Sequence, residues 1–182
     1  LDPRIFEGAQ DFNNCTAWAT REITGAAIAV DLIGRGELHQ YTARPGTAVT
    51  YAGRGGRSDS GMALFQAVEV VTRQGMQLEI DYPGVADLST ENKDERAGVA
   101  WGGSGPPAEL LAAIAGDVIE HAAEVSDRAA FMDLLYAGHF ILTGSTLTAA
   151  SPGDPVSRTK GIGGHAQAAI GYDDTDEFRE WY

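Results

Sequence analysis

The chain has 182 residues, with 13 basic and 26 acidic side chains and a formal charge of −13. This length fits one domain of ordinary size or two small lobes that share an interface. A charge this negative repels phosphate backbones and anionic lipid headgroups, so we expect neither nucleic acid nor a membrane surface as a partner. The single cysteine cannot form an internal disulfide, so packing must hold the fold.

The two ends of the sequence give few targeting signals. No apolar stretch approaches the roughly 20 residues of a membrane span, and the N-terminal residues lack a signal-peptide pattern. We therefore expect a soluble protein, either cytoplasmic or associated with a virion. The chain begins without methionine and stops at the aromatic pair Trp181 and Tyr182, so we expect trimming at both ends.

The first predicted element is a helix over 15–30, because apolar residues recur there at helical spacing. Cys15 falls in its first turn, and Asn13 or Asn14 is a suitable cap whose side-chain oxygen would accept a free N–H. The unpaired N–H groups and the dipole of a first turn stabilise a thiolate. A cysteine at this position is placed to react as a nucleophile.

The middle of the chain is predicted to contain one helix and one strand between loops. These segments are a glycine-rich loop over 41–57, a helix over 62–75, a strand over 76–82 and turns over 85–107. The sequence Ser58–Asp59–Ser60 would cap the helix. The strand is predicted because apolar and polar residues alternate up to Tyr82.

The last part of the chain is predicted to contain two helices and two strands. These are a helix from Pro107 to Gly116, a helix from Ser126 to Gly138, a strand over 139–143 and a strand over 165–172. His165 opens the last strand. Because helices come first and strands later, the order predicts an α+β fold.

The pairing of Cys15 with His165 indicates nucleophilic chemistry. A histidine beside the thiol can hold the thiolate as an ion pair and later protonate a leaving amine. Attack on a carbonyl creates an oxyanion, which the backbone N–H of Cys15 and the side-chain amide of Gln10 would stabilise. A free cysteine is otherwise most often a small buried hydrophobe, so its context decides between the two interpretations.

These segments resemble the papain-like cysteine peptidases, in their divergent bacterial and viral branches. Gln10 followed by residues 14–19 is similar to the family's nucleophile segment, and residues 163–172 are similar to its histidine strand. The interval of 150 residues between Cys15 and His165 agrees with the roughly 130–150 residues of papain-type enzymes. Weaker similarity in the middle includes the substrate-cleft glycine at Ser60–Gly61.

The resemblance implies a single catalytic domain over 1–182 with a two-lobed α+β fold. A helical lobe over about 10–100 would face a lobe with an antiparallel sheet or barrel over about 101–182, with the active site between them. It implies a hydrolase that cleaves peptide bonds through a thioester acyl-enzyme, without a cofactor. The expected partner is a peptide or protein substrate. It would be bound by Ser60, Gly61 and Gly164.

The chain departs from the family at three places. Gln10 lies five residues before the cysteine where papain has six, and Thr16 replaces the tryptophan usually adjacent to the nucleophile. The family's third catalytic residue, an asparagine, would fall at Trp181. We therefore expect the orienting residue either to lie beyond Tyr182 or to be lost. Asp173 and Asp174 are near in sequence but lie at the wrong end of the strand, so they are weaker candidates for this role.

Two other functions remain open at this stage. One is a catalytically inactive papain-like domain with a structural or binding role, such as a virion component or another larger assembly. The other is an amidase or transferase acting on cell-wall peptides. Metal and phosphate sites are not predicted, because the histidines, residues 53–57 and the acidic residues 173–177 lack the required spacings.

Overall fold

The computed structural model describes residues 12–145, 147–148, 158–159 and 164–171. These residues form a mixed α+β fold, which confirms the predicted class at this level. The described helices are α1 (Cys15–Arg35), α2 (Ala48–Ala52), α3 (Leu64–Arg73), α4 (Glu91–Trp101), α5 (Ala108–Ile114) and α6 (Arg128–Tyr136). The described strands are β1 (Asp81–Tyr82), β2 (Ala86–Asp87), β3 (Ile141–Ser145), β4 (Leu147–Thr148), β5 (Arg158–Thr159) and β6 (His165–Ala169).

Helix α1 begins at Cys15 as predicted, but it continues to Arg35 rather than ending near residue 30. Gly36 ends it in a left-handed conformation with φ of 73°, and its N–H donates to the carbonyl of Ile33. The predicted asparagine cap is confirmed in position but wrong in its hydrogen bond. Asn14 occupies the N-cap position, but its side chain is buried and donates to Glu95 instead of accepting a first-turn N–H.

Helices α2 and α4 lie where the sequence predicted a loop and turns, so both predictions are wrong there. All five residues of α2 are buried. The buried carboxylate of Asp94 in α4 accepts hydrogen bonds from the backbone N–H groups of Thr47 and Ala48. At the start of a helix such N–H groups have no acceptor within the helix itself. One side chain of α4 therefore caps α2 from across the core.

An apolar cluster links these helices to the segments that follow them. Its buried members are Ala48, Val49, Val70, Leu88, Leu110 and Ile114. They come from α2, α3 and α5 together with Leu88 after β2, so the cluster ties distant parts of the chain into one core.

Helix α3 starts at Leu64, two residues later than predicted, and residues 58–60 do not cap it. The backbone N–H of Ala63 donates to the side chain of Gln66, while Asp59 binds Asn13 and Tyr51. The predicted strand over 76–82 is wrong except for β1. Gln77 is fully buried and donates to Asp94 at 2.8 Å, whereas apolar Ile80 is exposed.

The structure confirms the two helices predicted in the last part of the chain. Pro107 is the N-cap residue of α5 rather than its first helical residue. The cap of α6 is Asp127, one residue after the predicted serine, and its carboxylate accepts from the N–H of Ala130 at 2.9 Å.

The described strands form three two-stranded antiparallel ladders, β1–β2, β3–β6 and β4–β5. In the β3–β6 ladder, Ser145 lies opposite His165 and Ile141 lies opposite Ala169. Both predicted strands are thus present, with β3 shifted by two residues and β6 ending at Ala169. Helix α1 packs against β6, which places the start of that strand beside the helix that carries the cysteine.

Candidate active site

Cys15 and His165 line the same cavity, whose volume is about 270 Å³. Each is partly buried, and each is the first residue of its element, α1 or β6. The other lining residues are Trp18, Ala19, Glu22, Ala166, Gln167 and Ala168. The fold therefore brings into one cavity a thiol and an imidazole that lie 150 residues apart in the sequence.

Small residues allow β6 to lie close to α1. Ala19 on the helix and Ala166 on the strand are 5% and 7% exposed, and both line the cavity. The backbone ladder with β3 holds the strand in register, so the position of His165 is set by hydrogen bonds to a neighbouring strand. The imidazole side of the site is thus supported by backbone pairing and close helix–strand packing.

The buried carboxylate of Glu95 in α4 forms hydrogen bonds to the first turn of α1. The Oε1 atom of Glu95 accepts from Asn14 Nδ2 at 2.8 Å and from Trp18 Nε1 at 2.6 Å. Glu95 is 1% exposed, so these two hydrogen bonds are shielded from water. Because Asn14 and Trp18 flank Cys15 in the sequence, Glu95 fixes the backbone on both sides of the thiol.

The segment that contains Ser60 and Gly61 lies beside the start of α1. The hydroxyl of Thr16 donates to the carbonyl of Met62 at 2.7 Å, and the backbone N–H of Asn13 donates to Asp59 at 2.9 Å. Gly61 has φ of +81°, a conformation that favours glycine. Ser60 and Gly61 thus lie near the nucleophile segment, although they do not line the cavity described above.

The remaining predicted site residues lie outside the cavity or outside the described residues. Gly164 is exposed and directly precedes His165, outside the set that lines the cavity. Gln10 lies outside the described residues, as do Asp173, Asp174 and Trp181, which concern the third catalytic position. The roles assigned to Gly164 and Gln10 stay predictions.

Glu22 brings a third ionisable side chain into the cavity, beside Cys15 and His165. Its Oε1 atom accepts from Arg21 Nη2 at 2.9 Å, and its Oε2 atom has no hydrogen-bond partner. Burial raises the pKa of Glu22, and the neighbouring Arg21 guanidinium only partly opposes this effect. The cavity therefore contains a carboxyl group whose ionised form is disfavoured by burial and only partly stabilised by Arg21.

Sequence reasoning did not identify Glu22 and Glu95, although one of them left a signal. Glu22 lies seven residues after Cys15, and residues two helical turns apart share a face of the helix. Glu95 had no such signal, because its hydrogen bonds to residues 14 and 18 join segments about 80 positions apart.

Within the ranges that the structure describes, no three histidine, cysteine, aspartate or glutamate side chains come together as a metal site. No helix in those ranges combines the length and apolarity that a membrane span needs. The cavity contains the side-chain types of a nucleophile and a base, since a thiol at a helix N-terminus and an imidazole both line it. No protein-family model matches the chain, and no similar curated protein or solved structure was found.

Proposed function

We propose that this chain is a papain-like cysteine peptidase that hydrolyses peptide bonds through a thioester acyl-enzyme. The observation that carries the proposal is the shared cavity of Cys15 and His165. Cys15 is also the only cysteine of the chain and the first residue of its longest described helix. Position in a helical first turn and an adjacent base are the two features that activate a cysteine nucleophile.

The first half of the proposed reaction forms the acyl-enzyme. The Cys15 thiolate attacks the carbonyl carbon of the peptide bond and gives a tetrahedral oxyanion. The backbone N–H of Cys15 and the side chain of Gln10 would donate to this oxyanion. As the carbon–nitrogen bond breaks, the imidazolium of His165 gives its proton to the leaving amine, and a thioester remains.

The second half regenerates the enzyme. His165 removes a proton from water, the resulting hydroxide equivalent attacks the thioester carbonyl, and the carbon–sulfur bond breaks. The products are a carboxylic acid and the Cys15 thiolate, whose ion pair with His165 restores the starting state. No oxidant, reductant or metal takes part in this sequence of steps.

The proposal includes a papain-like arrangement of two lobes. Helices α1 to α4 would form the helical lobe, and the antiparallel ladders β3–β6 and β4–β5 would belong to the sheet-rich lobe. The packing of α1 against β6 supports this assignment, because the cysteine helix and the histidine strand meet at the lobe boundary in such a fold.

The test compares Cys15→Ala and His165→Ala with the matched control His139→Ala, which changes an exposed histidine outside the cavity. A peptide library provides the substrates, and iodoacetamide labelling at neutral pH reports directly on the only thiol. We expect no turnover in Cys15→Ala, a loss of at least about 100-fold in His165→Ala and no change in His139→Ala.

Labelling separates the peptidase from an inactive domain of the same fold. In the peptidase, His165→Ala slows the alkylation of Cys15 while circular dichroism shows a folded protein. If the folded wild-type chain cleaves no peptide and its labelling rate equals that of His165→Ala, the proposal is wrong. Turnover of muropeptides alone would instead indicate an amidase acting through the same cysteine.

A further inference from the structure

Glu22 belongs to a group of five charged side chains with unequal numbers of positive and negative charges. Its members are Arg21, Glu22, Arg44, Glu79 and Glu91. Arg44 contacts Glu79 at 2.8 Å and Glu91 at 3.1 Å, and Arg21 lies 2.9 Å from Glu22. Three carboxylates against two guanidinium groups leave one negative charge when all five are ionised.

Glu22 is the member of this group that lines the cavity. It lies two helical turns after Cys15, about 10 Å along the axis of α1. Helical side chains in general tilt toward the N-terminus of their helix, and Glu22 and Cys15 line the same cavity. Trp18 and Ala19 lie between them in the helix and line the cavity. The Arg21 guanidinium stacks on one face of the Trp18 ring, 3.7 Å from its centroid, so only the rest of the indole and Ala19 are open to an apolar contact.

The carboxylate of Glu22 can accept a further hydrogen bond besides those from Arg21. Arg21 occupies Oε1, while Oε2 is shielded from solvent and has no partner. A buried carboxylate with an unsatisfied oxygen is costly, which agrees with the raised pKa of this group. The terminal torsion of a glutamate side chain is soft, so a small rotation would present an oxygen to a ligand in the cavity.

We propose that this cavity is a subsite for a cationic group of the substrate, an ammonium or guanidinium, bound by Glu22 beside the reacting thiol. The inference rests on the proposed function and specifies its substrate class. The cavity is smaller than the roughly 300–1,000 Å³ of drug-sized pockets, so it suits one side chain or one terminal amine. The alkyl stem would lie against Trp18 and Ala19, with the charge at the carboxylate.

The first test measures the electrostatic potential at the Cys15 thiol and does not require hydrolysis. Cationic aminoethyl, neutral methyl and anionic sulfonatoethyl methanethiosulfonates each transfer a thio group to the Cys15 thiolate and release methanesulfinate. The rate of each reagent with Cys15 is divided by its rate with free cysteine, and both are measured at low ionic strength. We expect the cationic reagent to exceed the anionic one by roughly tenfold, and Glu22→Gln to remove most of this preference.

Glu69→Gln is the matched control, because it changes the net charge equally at an exposed residue of α3 paired with Arg73. Equal rate ratios in Glu22→Gln and Glu69→Gln would overturn the inference. Glu22→Asp retains the charge and withdraws it by one methylene, so its ratio should stay closer to wild type. This second variant keeps the test decisive if Glu22→Gln folds poorly.

The second test uses peptides that differ only in a lysine, arginine or norleucine side chain, and peptides with a free or acetylated terminal amine. Glu22→Gln should lower kcat/KM for the cationic peptides and leave the neutral ones unchanged. If no peptide is cleaved but the reagent preference stands, the proposed hydrolysis fails and the cation subsite remains. Cleavage without any cationic preference in either test would refute the subsite alone.

Discussion

The helical region, α1 to α4, and the β3–β6 ladder hold the two halves of the candidate site by different interactions. The helical region buries four charged side chains, Arg21, Arg54, Asp94 and Glu95, each less than one-tenth exposed. In the β3–β6 ladder, backbone pairing holds the strands, and among the side chains described there only Ala166 is buried. Cys15 is thus supported by specific polar contacts and His165 by a backbone ladder.

This difference predicts where the molecule is sensitive to substitution. Buried polar side chains must keep their partners, because an unsatisfied buried donor or acceptor costs free energy. Arg54 illustrates the point, since its guanidinium donates to the carbonyls of Tyr51, Gly98 and Val99 and so ties α2 to α4. Substitutions in the helical region should lower stability, whereas those in the ladder should mainly affect function.

The largest effect is expected from Asp94→Ala. Asp94 accepts from Thr47, Ala48 and Gln77, so its removal leaves buried donors without an acceptor. We expect a loss of about 3 kcal/mol or more in the free energy of unfolding, measured by urea denaturation. Asp133→Ala, which changes an exposed residue of α6, is the matched control and should change the free energy of unfolding by less than about 0.5 kcal/mol.

A smaller loss in Asp94→Ala, equal to that of Asp133→Ala, would mean that the apolar cluster alone holds α2 against α4. Asp94→Asn provides a check if the alanine variant does not fold. Its amide retains one acceptor oxygen, so we expect a stability between those of Asp94→Ala and wild type.

The second largest effect is expected from Glu95→Ala, which removes the acceptor of Asn14 and Trp18. We expect a loss of roughly 2 kcal/mol, because the buried Asn14 amide and the partly buried Trp18 indole N–H both lose their acceptor. The indole N–H of Trp18 should also exchange faster with solvent in NMR spectra. An unchanged exchange rate would show that Glu95 does not hold the first turn of α1.

The same contrast explains which parts of the fold the sequence could predict. The start of α1, the helices α5 and α6 and the strands β3 and β6 follow apolar periodicity, so they were predicted to within a few residues. Helix α2 is buried on all sides and therefore has no amphipathic stripe. Helix α4 buries Asp94 and Glu95, which sequence patterns assign to solvent.

Cap assignments failed for a related reason. Asn14 and Asp59 are good local capping residues, but both are used in contacts that join distant segments, with Glu95 and with Asn13 and Tyr51. A local rule cannot anticipate such partners. The pairing of Cys15 with His165 was predictable as a hypothesis, because each begins a regular element, whereas Glu95 became visible only in three dimensions.

A third prediction compares two glycines whose added methyl groups would have equally near neighbours. In Gly98→Ala on α4, the new Cβ would lie 3.1 Å from the backbone of Ala48, which cannot move aside easily. An overpacking cost of roughly 1–3 kcal/mol should exceed the helix-propensity gain of up to about 1 kcal/mol. We expect a net loss of about 1 kcal/mol in urea denaturation.

Gly144→Ala on β3 is the counterpart of Gly98→Ala. Its Cβ would lie 3.1 Å from Leu64 Cδ1, the end of a side chain that can rotate. The free energy of unfolding should change by less than about 0.5 kcal/mol. Equal losses in the two variants would remove the distinction between a rigid helical region and an adaptable ladder.

The smallest effect concerns pH and the buried Tyr51, whose hydroxyl donates to Asp59. Burial, followed by this hydrogen bond, raises the pKa of Tyr51 to about 12, whereas an unfolded tyrosine ionises near about 10. Its stabilising contribution is therefore complete below pH 10 and is lost as the pH rises toward 12.

The free energy of unfolding of wild type should exceed that of Tyr51→Phe by about 1 kcal/mol at pH 7, and this difference should narrow above pH 10. Tyr136→Phe changes an exposed tyrosine and should show no such narrowing. A difference that stays constant up to pH 11 would mean that Tyr51 does not link α2 to the segment before Cys15 through its hydroxyl.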